Sequence, residues 1–266
     1  MANVILTYPL SDSAALTGAP APASMPVTNL QTKEPQEVYR ILDPANGFIN
    51  IDTGGIEIDL ICLLKHNATT RGYARVRASD TLADVESSPE YDSGNLPLRS
   101  HQSTYDTDDT SNSRDLNHFI HKLDAAVTYR YWRIDLYDTG DFLDIGRLYM
   151  SKAWQPRVNA DYGLPTGVSD LSLKPRASSG QCVPLRKRKI NYVEFTFSFL
   201  SEEEARGYLD DLDHNRGTTE DVLYIKDVEN TKFLQKDTLY GLMANISPPT
   251  HTSFELFTKS IRIEEL

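Results

Sequence analysis

The chain has 266 residues, with 38 Asp and Glu against 27 Lys and Arg and a formal charge of −11. That length holds two modest domains or one large β domain, and an acidic surface disfavours nucleic-acid binding through phosphate contacts. No apolar run approaches the ~18 residues of a membrane span, MANVILTYPL lacks the basic and apolar regions of a signal peptide, and two cysteines, Cys62 and Cys182, make neither a disulfide framework nor a zinc site. These bounds describe a soluble protein made inside the cell, whether or not it ends in a particle outside it.

Residues 3–6 read as a short strand. SDSAALTGAPAPASMP follows, without period and rich in small residues and proline, and reads as a loop or extended arm. Residues 48–51 are a strand candidate. From Ile56 to Leu64 the even positions are apolar throughout, whereas the odd ones turn apolar only at Ile61. That strand is expected to be solvated at one end and covered on both faces at the other, with Cys62 a small buried hydrophobe. Tyr73, Arg75 and Arg77 alternate with Ala74, Val76 and Ala78, the pattern of a half-buried strand. Residues 79–123 are dense in Ser, Asp, Thr, Pro and Asn and are expected to be an excursion from the core.

Trp132, Ile134 and Leu136 alternate with Arg133, Asp135 and Tyr137. Asp138 to Asp141 supply turn chemistry, and a second strand runs from Phe142 to Met150. Its alternation breaks at Gly146, which marks a bulge or a close backbone approach. The two strands read as the closing hairpin of a β-sandwich, with Trp132 in its core.

Residues 155–188 hold scattered Pro, Gly and Ser and read as a linker. They end in Arg186-Lys187-Arg188-Lys189, a run suited to a partner-protein contact or a solvated strand end. Val193, Phe195, Phe197 and Phe199 share one face of the cleanest strand in the chain. Ser201 and Glu204 form a capping box, and Ala205, Tyr208, Leu209 and Leu212 a helical stripe ending near Asn215. Residues 221–227, 233–245 and 253–264 read as further strands. The fold class is thus mainly β: a sandwich over residues 1–154, a linker over 155–188, and a small α+β domain with one helix over 189–266.

Catalytic signatures are missing: no glycine-rich phosphate loop, nucleophile elbow or HExxH motif occurs. Asp115, His118 and His121 would converge on a metal only if that segment were helical, and a fourth ligand is lacking. Asp106, Asp108 and Asp109 lack the glycine and final glutamate of a calcium loop. The expectation is no catalysis, no metal and no cofactor.

Several stretches carry a resemblance. ASMPVTNLQ, IEIDLICLLKHNATTRGYARVRASD and YWRIDLYD resemble the discoidin-like, galactose-binding-like jelly roll. YWRI together with LDIGRLYM resembles the last strands of such jelly rolls in phage tail-tip proteins. FTFSFLSEEEA, YIKD, YGLM and the terminal SIRIEEL are similar to tail-tube and distal-tail modules of phages, sandwiches or barrels with one helix that build rings by joining sheets side by side. Residues 79–123 depart from a minimal jelly roll.

The resemblance implies a non-catalytic structural protein of a phage tail tip or baseplate. It would be made in the host cytoplasm, located in the virion, and assembled with other tail proteins and with itself. The terminal strand, placed at a sheet edge, would supply the assembly contact through Ser260, Ile261, Arg262, Ile263 and Glu264. The alternative is a carbohydrate-binding adhesin module for the bacterial host surface, because discoidin-like folds often bind glycans. Its saccharide contacts would come from Tyr73, Arg75, Tyr91, Tyr105 and Trp154 on loops at one end of the sandwich. A glycan hydrolase ranks third, since no spacing places two carboxylates across a sugar.

Overall fold

A strand sends successive side chains to opposite sides, and in the strands over residues 47–52, 73–79 and 131–137 alternate residues are buried. The computed structural model describes residues 3–99 and 117–266. Its contacts divide into two units that interleave in sequence. The first holds residues 6–154 and 226–238, and the second residues 3–5, 155–225 and 239–266.

After β1 (Ile5–Thr7), the first unit contains β2 (Ala15–Gly18), β3 (Tyr39–Ile41), β4 (Gly47–Asp52), β5 (Ile58–His66), β6 (Tyr73–Ser79), β7 (Tyr91–Pro97), β8 (His118–Val127), β9 (Tyr131–Tyr137) and β10 (Leu143–Ser151). One sheet has the order β3-β10-β5-β8 and the other β2-β4-β9-β6-β7. The inward residues of both join one apolar core, with Ile61 and Leu63 from the first sheet and Val76, Trp132 and Ile134 from the second. The unit is a jelly-roll β-sandwich and the protein is mainly β.

Several sequence expectations need correction here. β9 and β10 are not a hairpin. β9 pairs with β4 and β6, β10 with β3 and β5, and residues 138–142 carry the chain from one sheet to the other. Both strands alternate, so either pairing satisfies their pattern. Part of the stretch read as an arm is β2, paired with β4. Residues 79–123 include a short helix, Leu82–Ser87, the strand β7 and the first half of β8. Asp59 is buried rather than solvated, because β5 is central in its sheet. It pairs with the Lys122 ammonium at 2.8 Å and accepts the Ala153 N–H at 2.6 Å. Cys62 is buried in β5, and burial pushes its thiol pKa up. Gly146 marks a close approach: a Cβ there would lie 2.6 Å from the Pro35 carbonyl oxygen.

The second unit is built on one sheet, of order β1-β13-β14-β16-β12-β11 with β15 beside β16. Its strands are β11 (Thr166–Asp170), β12 (Lys189–Leu200), β13 (Asp221–Ile225), β14 (Thr238–Met243), β15 (Thr250–Ser253) and β16 (Leu256–Glu265). β11 lies within the segment read as a linker. The capping box forms: Ser201 Oγ accepts the Glu204 N–H at 3.3 Å, and Glu204 accepts the Ser201 N–H at 2.9 Å. Burial opposes ionisation of Glu204, but the N–H groups of Arg157 and Ser201 outweigh it and hold its pKa below the usual range. The helical segment runs as a π-turn over Glu204–Tyr208 and an α-helix over Leu209–Arg216. The buried Lys259 ammonium ties it to the sheet through the Asp213 carboxylate and the Leu209 carbonyl.

The placement of β16 overturns the expected assembly edge. Val193 of β12 and Met243 of β14 both pair with Ile263. Ile261 and Ile263 are buried in the core, Ser260 shares a hydroxyl contact with Thr196, and Arg262 pairs with Glu264. A strand paired on both sides has no free ladder to offer a neighbour.

Two predictions follow from the sandwich core. Trp132 is 1% exposed and its indole N–H reaches the Tyr129 carbonyl at 3.0 Å. Trp132→Ala should cost about 3–5 kcal/mol, read as a lower denaturation midpoint; an unchanged midpoint would contradict its burial. His66 and His118 are buried and neutral. Burial, with Arg99 nearby, depresses the pKa of His66 to about 4, and burial with Lys65 and His66 lowers that of His118. The unfolded chain binds these protons near pH 6.5 and the folded chain does not. Stability is therefore full at neutral pH and falls as the pH drops toward 4, by up to about 1.4 kcal/mol per pH unit for each histidine. His66→Gln should flatten that slope in unfolding titrations, and a slope that keeps its steepness would rule this histidine out as a cause.

Candidate functional site

With Ala74, Val76 and Ala78 committed to the core, Tyr73, Arg75 and Arg77 stand on the outer face of the five-stranded sheet. Beside them on β9 stand Arg133, Asp135 and Tyr137, in the register Tyr73 opposite Tyr137 and Arg75 opposite Asp135. The Tyr73 and Tyr137 rings stack with centroids 4.8 Å apart and planes 17° apart. Offset aromatic pairs of this kind stabilise one another and leave an apolar surface to the outside.

A charged network lies next to the rings. Arg75 grips Asp92 in a two-pronged contact, with Nε to Oδ1 at 2.9 Å. Hydrogen bonds from Arg75 pull the Asp92 carboxyl down to about 2, against a smaller opposing effect of burial. Asp135 receives Arg77 Nε at 2.8 Å and Arg133 Nε at 2.7 Å. Arg77 also donates to the Glu86 carbonyl at 2.9 Å, and Arg133 to Asn50 Oδ1 at 3.2 Å and to the Glu86 carboxylate. The Arg133 guanidinium lies over the Phe48 ring at 4.5 Å, a cation–π contact. Forked pairings of this type fix both partners in orientation.

Local structure positions these groups. A bulge in β7 shifts its pairing with β6 between Arg75 and Arg77, which brings Asp92 within reach of Arg75. At the Tyr73–Tyr137 end, the buried Asp138 carboxylate accepts the N–H groups of Thr69 and Thr139, each at 2.8 Å, and the Thr69 hydroxyl. It thereby ties the loop that enters β6 to the loop that leaves β9.

Of the five saccharide candidates, the structure brings Tyr73 and Arg75 together on this face. Tyr91 packs against the core instead, its hydroxyl 2.6 Å from His121 Nε2 and its ring 6.1 Å from that of Trp132. Burial, with Asp124 and Asp92 nearby, raises its pKa. Trp154 follows β10 and bridges to Leu6, beyond the strand end opposite to that of Tyr73. Tyr105 lies outside the described residues. The candidates the structure describes therefore do not gather on loops at one end: Tyr73 and Arg75 share a sheet face, and Tyr91 and Trp154 lie elsewhere.

Arg77, Arg133, Asp135 and Tyr137 share that face. Their signal was present, since they share the parity of Tyr73 and Arg75 on strands whose other parity is apolar. Asp92 had no such signal. Asp115, Asp106, Asp108 and Asp109 lie outside the described residues. His118 and His121 sit three apart on a strand, which turns them to opposite faces of β8. Among the described residues no group of three or more His, Cys, Asp and Glu side chains is placed to hold a metal.

The face can hold a polar ligand, with flat rings for an apolar face and forked N–H and carboxylate groups for hydroxyls. Among its carboxylates Asp92, held near a pKa of 2, has no proton to give at neutral pH.

No protein-family model matches the chain, and no curated protein matches it. Solved structures do. A family 32 carbohydrate-binding module of a Clostridium perfringens family 89 protein shares 11% identity, covering 55% of this chain and 99% of that one, with a TM-score of 0.37. A Streptococcus pneumoniae fucose-binding module shares 11% identity over 55% of this chain and 98% of its own, with a TM-score of 0.38. The family 32 module of C. perfringens NanJ, solved with galactose, shares 9% identity over 55% and 98%, with a TM-score of 0.38. These neighbours are carbohydrate-binding modules.

Proposed function

We propose that the protein is a non-catalytic binding module whose sandwich recognises a saccharide through the outer face of the five-stranded sheet. The observation that carries the reading is the convergence on that face of a stacked tyrosine pair, Tyr73 and Tyr137, with the oriented pairs Arg75–Asp92 and Arg77–Asp135. Pyranose rings offer an apolar C–H face and adjacent hydroxyls, and this surface complements both. Catalysis is not part of the proposal, because the carboxylates on the face are bonded to guanidinium groups.

The reading as a tail-tip structural component rests on the sequence resemblance in residues 131–150 and 189–266. The interior position of β16 removes the edge through which that assembly was expected.

The test is a glycan array on the full chain, followed by calorimetry with each saccharide that binds. Arg75→Ala and Tyr73→Ala should each weaken binding about ten- to a hundredfold, as loss of a charged hydrogen-bonding partner or a stacking ring does. Lys152→Ala, in a surface pair with Glu57, should bind as the parent does. An array without any bound saccharide, or full affinity in both site variants, would overturn the proposal.

A further inference from the structure

Beyond Asp170 and Lys189 the β11–β12 pairing continues into a two-stranded ribbon. Leu173 and Leu185 exchange N–H···O bonds of 3.0 and 2.8 Å, the Val183 N–H reaches the Pro175 carbonyl at 3.0 Å, and Arg176 bridges to Cys182. Gly180, at φ 84°, turns the tip. Residues 173–189 are all exposed.

The pairing sorts the side chains. Leu173 faces across to Leu185 and Pro175 to Val183, so these four share one side of the ribbon. Lys174, Arg176 and Arg186 take the other side. Leu173, Val183 and Leu185 remain 53%, 53% and 57% exposed. An isolated two-stranded ribbon is marginal in water, and an apolar side with nothing on it is the usual mark of a contact surface.

Charge identifies the occupant. Residues 171–189 hold six Lys and Arg and no Asp or Glu, so a chain total of −11 leaves −17 on the rest. A second copy of this chain is thus the complementary partner. One region of it also matches the apolar side: Phe199 is 52% exposed. It is followed closely in sequence by the exposed Glu202 and Glu203 at the start of the helical segment. We propose that the ribbon is an assembly arm that docks on the surface around Phe199, Glu202 and Glu203 of a second copy. The donor and acceptor patches differ, so the contact is head-to-tail, and copies add in one direction into a ring or a filament.

Sedimentation velocity and light scattering on the full chain test this. The wild type should exceed the 29.9 kDa monomer mass and shrink as salt is raised. Leu173→Ser with Leu185→Ser should run as a monomer with an unaltered circular dichroism spectrum, because both side chains are exposed. Arg186→Glu with Lys187→Glu in one preparation, and Glu202→Lys with Glu203→Lys in another, should each be monomeric alone. Mixed, they should assemble, since every arm then meets a patch of opposite charge. A monomeric wild type at all concentrations, a leucine variant that assembles like the parent, or a silent mixture would overturn the proposal. So would a wild type that stays monomeric while its arm binds heparin or anionic vesicles, which would assign the arm to an anionic polymer or membrane.

Discussion

In β6 and β9 the alternation of a strand governs almost everything else in the first unit. Six side chains, from Ala74 to Leu136, go into the core, and their six neighbours, Tyr73 to Tyr137, have only the outside to occupy. A slip of one residue would exchange the two sets and bury four arginine and aspartate side chains where the tryptophan now sits. The apolar core thus fixes the register, and the register fixes which rings stack and which guanidinium meets which carboxylate. The candidate site is the outward image of the core.

Polar side chains buried in the same unit act at the joints rather than in the middle. Asp138 holds two loops together beside Tyr137, and Lys122 neutralises Asp59 where β5 meets β8. The guanidinium of Arg147, 1% exposed, reaches the Asp12 carboxylate at 2.8 Å. Each buried charge has an opposite charge or several hydrogen bonds, the condition under which burial is tolerable. His66 and His118 meet the same constraint differently, by giving up their charge.

What could be read from the sequence was local. The alternations of β6 and β9 and the Ser201–Glu204 capping box depend on residues two or three apart, and all three form; that of β12 holds from Val193 to Phe197, after which a shift in its pairing with β16 buries Leu200 and turns Phe199, expected on the same face, out to solvent. β2 and β7 lie at the ends of their sheet order and are ordered by pairing with β4 and β6: β2, ALTG, is too short to show a period, and β7, YDSGNLP, is polar and has no apolar period of its own. The sheet membership of β10 is set by β5, whose paired residues lie 79 to 91 positions away, that of β9 by β4 and β6, and the interior place of β16 by β12 and β14. No local pattern encodes them. The same division holds at the site. Tyr73 and Arg75 were legible from a strand's parity, whereas Asp92 arrives there through a bulge that only the pairing of β7 reveals.

The interleaving of the two units bears on how the protein is made. Residues 226–238 belong with the sandwich, where Gln235 exchanges hydrogen bonds of 2.6 and 2.8 Å with the backbone of His118. Residues 3–5 belong with a unit that is finished only by β16. Synthesis of the stretch between residues 154 and 238 takes roughly 4–17 s at about 5–20 residues per second. For that interval the start of β8 has no Gln235 to pair with, and Ile5 is already outside the ribosome without its sheet. A translating chain therefore cannot complete the sandwich until residues 226–238 emerge, by which time most of the second unit is already made, and that unit closes only later, with β16.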